Sequence, residues 1–188
     1  MSEYELPVSI DLETLSVRQD ARITTIGAAA RVNGELETFV CYLDVKTSQR
    51  DRHIDPNTLT WWRKQGELFD QMMARCADGV SMRDGLLAFQ SWYIQLGDKD
   101  ARLTPWGNGS SFDVAMLEHA FRSHGMQPPW AFWMARDLRT LKALAEDLGV
   151  YTKVEREGTH HDARDDAIHQ LRMIETLKEQ LKAARPQQ

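Results

Sequence analysis

Apolar and polar positions change rhythm along the chain, and the change divides it into a strand-rich start and a helix-rich remainder. Leu6–Leu12 reads as an apolar, extended segment, followed by a polar loop through Asp20. Ile23–Val32 is short on charge and rich in small residues, which predicts a strand buried on both faces. Asn33-Gly34 is a strong hairpin signal, because both residues tolerate positive φ. Leu36–Leu43 then returns with alternation at Leu36, Thr38, Val40 and Tyr42. Three antiparallel strands in succession make a meander.

Beyond this point the period becomes helical. Asp55-Pro56 forms an N-cap and N1 pair, opening a short helix that carries Trp61 and Trp62. Ser81 caps an amphipathic helix with apolar positions at Leu86, Leu87, Phe89, Trp92 and Leu96. A short strand near Leu103–Trp106 runs through Gly107-Asn108-Gly109 into a helix from about Phe112 to His124. Pro128-Pro129 breaks the chain. A further helix spans roughly Asp137 to Leu148 and stops at Gly149, and the last spans Ala163 to about Ala184, with Ala167, Leu171, Ile174 and Leu177 at helical spacing. No repeat, low-complexity block or linker interrupts the pattern. It predicts one α/β domain with a mixed sheet over residues 1–184, and a frayed tail at 185–188.

Composition narrows the class. The chain has 188 residues, enough for one good core, and its apolar share of 42% with six tryptophans describes a globular protein. The first apolar positions are interrupted by Glu3, Glu5, Asp11 and Glu13, unlike a signal peptide, and no stretch has the length of a membrane span. Cys41 and Cys76 give neither a disulfide framework nor a zinc pattern. A cytoplasmic location, in a bacterium or in the host of a phage, is the expectation. A net charge of −5 argues against a protein that coats nucleic acid. It argues less against an enzyme that grips one strand end through bound metal.

Three clusters carry candidate chemistry. Asp11 and Glu13 stand two apart at the end of an apolar strand, so both side chains leave by one face. Two anions so placed repel unless a cation lies between them, although a solvated strand end would also explain them. Asp113 follows a strand and a Gly-rich turn, at the start of a helix, where an acid is also an ordinary dipole partner. The third cluster is His160-His161-Asp162-Ala163-Arg164-Asp165-Asp166-Ala167. Acids at a helix start favour the dipole, but the paired histidines add groups able to take a proton from water near neutral pH.

Jointly these clusters resemble the DEDD exonucleases, in the histidine branch called DEDDh. The first motif, D-x-E-T after apolar residues, appears as Asp11-Leu12-Glu13-Thr14, and the I-x-x-I-G-A strand as Ile23-Thr24-Thr25-Ile26-Gly27-Ala28. N-x-x-F-D-x-x-x-L matches Asn108, Phe112, Asp113 and Leu117. H-x-A-x-x-D-A matches His161, Ala163, Asp166 and Ala167, a register that selects His161 over His160 and Asp166 over Asp162 and Asp165. Two positions depart from the pattern: Gly107 stands where His is frequent, and Arg164 where an apolar residue is usual, which predicts a more exposed start to the last helix. Within the superfamily, Thr58-Leu59-Thr60-Trp61-Trp62, Trp106-Gly107-Asn108-Gly109 and Arg136-Asp137-Leu138-Arg139-Thr140-Leu141 are similar to an exodeoxyribonuclease VIII-like and mycobacterial exoribonuclease-like group of phage and bacterial proteins.

The resemblance implies a ribonuclease-H-like fold, an antiparallel three-strand meander plus parallel strands flanked by helices. It implies a 3′→5′ exonuclease with two Mg²⁺ or Mn²⁺ ions, acting on DNA or RNA with a free 3′ end and releasing nucleoside 5′-monophosphates. Asp11 would be shared by both metals, Glu13 and Asp166 would complete one site, Asp113 would act through water, and His161 would be the general base. Oxygen ligands suit these hard cations and disfavour zinc. Thr14, Asn108, Phe112, Trp61 and Trp62 would bind substrate. The two tryptophans diverge by about 100° on a helix, so one is expected in the core and the other free to stack on a terminal base, unless both pack on the sheet. Arg136 and Arg139 are candidates for a phosphate or a structural carboxylate, and a homodimer is the family's frequent state. The rival readings are a catalytically idle nucleic-acid-binding module, a hydrolase of a nucleotide conjugate or RNA cap, and a structural protein.

Overall fold

The computed structural model describes residues 4–97 and 100–184; the tail at 185–188 lies outside the described residues. Strands β1 (Tyr4–Thr14), β2 (Ile23–Val32) and β3 (Glu35–Tyr42) form the antiparallel meander. Asn33 and Gly34 turn it at φ 52° and 88°, the left-handed values their types permit. Strand β4 (Ala101–Gly107) adds in parallel to β1, and the two-residue β5 (Arg136–Asp137) adds in parallel to β4. The order β3-β2-β1-β4-β5 places β1 at the centre, paired on both edges. This is the mixed α/β sheet that the hydrophobic pattern predicts.

Among the described residues six helices flank it: α1 (Pro56–Arg63), α2 (Glu67–Ala77), α3 (Met82–Gln95), α4 (Asp113–Ser123), α5 (Leu138–Asp147) and α6 (Ala163–Ala183). Two caps fall where the sequence places them, Asp55 accepting from Asn57 N and Ser81 from Asp84 N, and Asp137 caps α5 by accepting from Arg139 N. Helix α2 and the 3₁₀ turn Phe132–Met134 lie outside the elements that the sequence pattern predicts. Helix α2 begins at Gly66, which offers no side-chain cap, although Leu68, Met72 and Cys76 do fall at helical spacing.

One face of the sheet carries the main core. Leu6, Val8, Ile10 and Leu12 of β1 pack with Leu86 and Phe89 of α3, and with Met116, Leu117 and Phe121 of α4. Period two therefore sends Ser9, Asp11 and Glu13 to the other face, which α6 covers. There Ala29 packs on Ala167 and Leu171, while Trp106 meets Leu138, Ile174 and Leu177. Gly27, the cross-strand partner of Asp11, makes this approach possible. A Cβ at Gly27 would lie 2.2 Å from the backbone C and O of Ala163, so only glycine lets the α6 start descend onto β2. A smaller core of Leu15, Val45, Trp62, Met72 and Cys76 fastens α1 and α2 beside the end of β1. Both cysteines are free. Among the described residues, no helix is long and apolar enough to cross a membrane.

Candidate active site

At the end of the central strand, Asp11 and Glu13 project toward the first turn of α6. Carboxylate oxygens of Asp11, Glu13 and Asp166 lie within 4.8 Å of one another. Gln170, one helical turn after Asp166, donates from Nε2 to Asp11 Oδ1 at 2.6 Å. Asp166 Oδ2 accepts from His161 N at 3.2 Å, and its Oδ1 pairs with the guanidinium of Arg156. The neighbouring acids have other work: Asp162 caps α6 through Arg164 N and Asp165 N, and Asp165 accepts from Thr159 N. Arg164 is exposed and pairs with Asp165, in line with the exposed helix start its identity predicts.

Asp113 reaches the same cleft from α4 but is held apart from that trio. Its Oδ1 accepts from Leu12 N at 3.1 Å and its Oδ2 from Asn108 N at 3.0 Å. The backbone of β1 and the turn after β4 thus fix this carboxylate directly. Gly107 permits the close seat, since a Cβ there would lie 3.3 Å from the Asp113 Cβ.

The electrostatics follow from crowding. Burial first, then the charges of Asp113 and Asp166, hold the Asp11 carboxyl well above the usual carboxylate range. Burial pushes Glu13 up to about 10, with Asp11, Asp166 and Asp113 adding to it. Asp113 rises to about 6 through burial, restrained by the N–H groups of Asn108 and Leu12. Arg156 is the guanidinium within the cluster, and it stabilises only part of the negative charge. This donor set fits a divalent cation: three carboxylates converge, all ligands are oxygen, and burial and mutual charge push Asp11 and Glu13 toward their protonated forms, which a cation would offset.

His161 precedes α6 with φ 65°, a left-handed conformation that costs a side-chain-bearing residue on the order of 1 kcal/mol. Its hydrogen bond to Asp166 offsets that cost. Ring nitrogens of His160 and His161 both come within 4.8 Å of Asp166, so distance alone does not separate the two histidines. Environment does. His160 is exposed, whereas His161 is half-buried, edge-on to Trp61 with centroids 4.9 Å apart. Burial, then His160 and against the pull of Asp166, lowers the pKa of His161 and favours its neutral form.

The cleft over the acids has a volume of about 590 Å³, and Arg139, Lys142, Arg156 and His169 share its walls. A second pocket of about 440 Å³ opens from Glu13 toward Thr14, Val17, Trp61, Trp62 and Phe112. The two tryptophans divide between core and surface, rather than both packing on the sheet. Trp62 is core, 1% exposed, with Nε1 donating to Thr14 O at 2.8 Å; Trp61 is 41% exposed. Phe112 lines both spaces, Asn108 the first and Thr14 the second, although the Thr14 hydroxyl is already spent on Ser16 O. Of the two uncertain arginines, Arg136 donates to the Trp133 and Ala135 carbonyls, a structural role. Arg139 turns into the cleft beside Asp113, which its charge reaches.

Sequence reasoning missed Arg156, His169 and Gln170. The two α6 residues stand three and four positions after Asp166, so helical spacing could have placed them on its face. For Arg156, in an irregular loop, no such signal exists.

A ribonuclease-H-like sheet presenting this constellation of acids and histidine defines a nuclease of the DEDDh superfamily. Residues 7–178 match the family described as the 3′-5′ exoribonuclease Rv2179c-like domain, and the chain belongs to that family of exonucleases. No curated protein matches the sequence. Among solved structures, cell-death related nuclease 4 (CRN-4) is similar at a TM-score of 0.70 and 15% identity, over 95% of this chain and 65% of that one. The chain thus spans less than two thirds of CRN-4. The nuclease domain of 3′hExo, a DEDDh family member solved bound to rAMP, is similar at a TM-score of 0.62 and 16% identity, over 98% and 96% of the two chains. At such identities these two likenesses show the fold.

Proposed function

We propose that this exonuclease removes single nucleotides from the 3′ end of DNA or RNA, by metal-assisted hydrolysis with His161 as general base. The convergence of Asp11, Glu13 and Asp166 within 4.8 Å, in an open cleft beside a half-buried histidine, carries the reading. Asp11, Glu13 and Asp166, with Asp113 acting through water, would hold two Mg²⁺ or Mn²⁺ ions, which when bound ease deprotonation of the attacking water and offset charge on the phosphate oxygens. A surface built only to hold phosphate would place cations here, so three carboxylates disfavour an idle binding module.

The chain's own residues supply the rest. A ring nitrogen of His161 takes the proton of the attacking water, and the bond from His161 N to Asp166 keeps the imidazole beside the acids. The terminal base enters the pocket walled by Trp61 and Phe112, where stacking tolerates any base. Trp62 supports Trp61 from the core at 4.9 Å between centroids. Arg139 meets a phosphate of the upstream strand. The leaving group is the 3′ oxygen of the penultimate nucleotide, and the product a nucleoside 5′-monophosphate. A homodimer is part of the same reading, with the exposed Phe132 and Trp133 as contact residues; sedimentation of wild type against Trp133→Ala tests it.

End-labelled DNA and RNA strands, open or blocked at the 3′ end, incubated with and without Mn²⁺, test the whole. A metal-dependent ladder from open 3′ ends is expected. Cleavage of 3′-blocked strands or of circles, or full activity in excess chelator, overturns it.

A further inference from the structure

Asp166 has two oxygens and both are engaged. Oδ2 takes the backbone N–H of His161, a bond that also fixes the start of α6. Oδ1, the oxygen left for a metal, is held by the Arg156 guanidinium. Arg156 comes from the irregular segment 152–158, between Glu155 and Glu157, and Glu157 is occupied by Arg172 of α6 at 2.7 Å. Its charge also reaches Asp11, so it serves as counter-ion to both Asp166 and Asp11, and it disfavours the cationic forms of His161 and His169.

A divalent ion bound through Asp166 brings its charge within about 2.0–2.6 Å of the carboxylate oxygen. Arg156 already lies within hydrogen-bonding distance of that oxygen. Two cations on one carboxylate oxygen repel, so metal entry weakens or breaks the arginine pair. The released guanidinium is one-third exposed, in the cleft wall, and a planar fork suited to phosphate oxygens.

Resting on the exonuclease reading above, we propose that Arg156 couples metal binding to substrate binding: it occupies Asp166 while the site is empty, and turns to a phosphate of the bound nucleotide when metal takes the carboxylate. By linkage, metal and phosphate then tighten each other. Without nucleotide the arginine competes with metal and holds its affinity down. With nucleotide the competition is relieved, because the guanidinium has a new anionic partner. Arg156 is a positioning residue for the metal and a direct contact for the phosphate.

The experiment measures Mn²⁺ affinity, by the loss of the free-ion electron paramagnetic resonance signal, for wild type, Arg156→Gln and Arg156→Lys, each with and without AMP. Arg156→Gln should bind Mn²⁺ about tenfold more tightly than wild type in the absence of AMP, and AMP should tighten Mn²⁺ about tenfold in wild type but little in this variant. Arg156→Lys, which keeps the charge without the fork, should compete with metal like wild type but couple less to AMP. A merely structural arginine would loosen the loop and weaken the metal, the opposite sign. Arg156→Gln binding Mn²⁺ no more tightly, or equal tightening by AMP in wild type and Arg156→Gln, overturns the inference. If Arg156→Gln does not fold, Arg156→Lys decides alone: undiminished coupling to AMP overturns it. Wild type that binds Mn²⁺ and degrades strands while the variants behave identically overturns this inference alone; wild type that binds no Mn²⁺ overturns the exonuclease reading with it.

Discussion

At the scale of single residues, three of the site's four carboxylates are held by different partners. Gln170 steadies Asp11, backbone N–H groups fix Asp113, and Asp166 divides its oxygens between Arg156 and the His161 backbone. Asp11 is the acid whose removal separates function from stability most cleanly. Asp11→Asn keeps an oxygen for Gln170 but removes the group whose ionisation burial and the neighbouring acids oppose, so the native state no longer has to hold that proton. It should abolish hydrolysis while raising the melting temperature in chelator by about 2–4 °C, the shift roughly 1 kcal/mol gives a domain of this size. A large fall in Tm would mean that the Asp11 charge is structural. The histidines offer a second separation. His161→Ala should lower turnover about 10²–10⁴-fold with metal affinity little changed, whereas His160→Ala should be mild. Because burial lowers the His161 pKa, its base form persists below the usual histidine value of about 6.5, and the acid limb of the rate profile should fall below that pH. Equal losses in the two alanine variants would contradict the assignment.

Elements bring these residues together, and here glycine decides more than any charge. The α6 start carries His161 and Asp166, and it reaches β2 only because Gly27 has no Cβ. Gly27→Ala must push Ala163 away, so it should cost several kcal/mol, in the range of about 1–3 for overpacking or more where backbone is the obstacle. Activity should fall with stability, since Asp166 moves with the helix; a variant of wild-type Tm and activity would show that the helix shifts freely. The strand motif around Gly27 was legible in the sequence, and so were the hairpin turn and the helix caps at Asp55 and Ser81. These signals are local. What sequence did not disclose is long-range or uncapped. Helix α2 starts on Gly66 with no side chain to announce it, and the partners of Asp11 and Asp166, Gln170 and Arg156, are joined by the fold across 159 and 10 residues of chain. The division of labour between Trp61 and Trp62 also needed the structure, because helical divergence says that the two differ but not which is inside.

For the whole molecule, the cluster of acids sets a relation between pH, metal and stability. Glu13 titrates near 10 in the folded protein against 4.5 as an ordinary glutamate, and Asp113 near 6 against 3.8. Both shifts are upward, so between the ordinary and the folded values the native state binds more protons than the unfolded state. Stability without metal must then fall as pH rises through that window, by up to about 1.4 kcal/mol per pH unit for each proton held. Asp113 contributes mainly below about 6 and Glu13 up to about 10, with Asp11 shifted in the same direction. From pH 6 to 8 in chelator, one such proton amounts to a fall in Tm of roughly 5–10 °C. Divalent metal bound there would supply the positive charge that the protons otherwise provide, and because it would bind only the native arrangement it would stabilise by mass action. The stabilisation should grow with pH, because at low pH metal must first displace protons from Glu13 and Asp11. Melting curves from pH 5 to 9, in chelator and in Mn²⁺, should therefore diverge toward the alkaline end, with the metal-loaded curve nearly flat. Two parallel curves would mean that the carboxylates ionise independently of metal, and that Asp11, Glu13 and Asp166 do not form the site. Arg156→Gln should steepen the chelator curve, since it removes the guanidinium that holds the Asp11 carboxyl down. The acids that make the empty protein less stable at the pH where a nuclease works are the same groups that give metal its purchase.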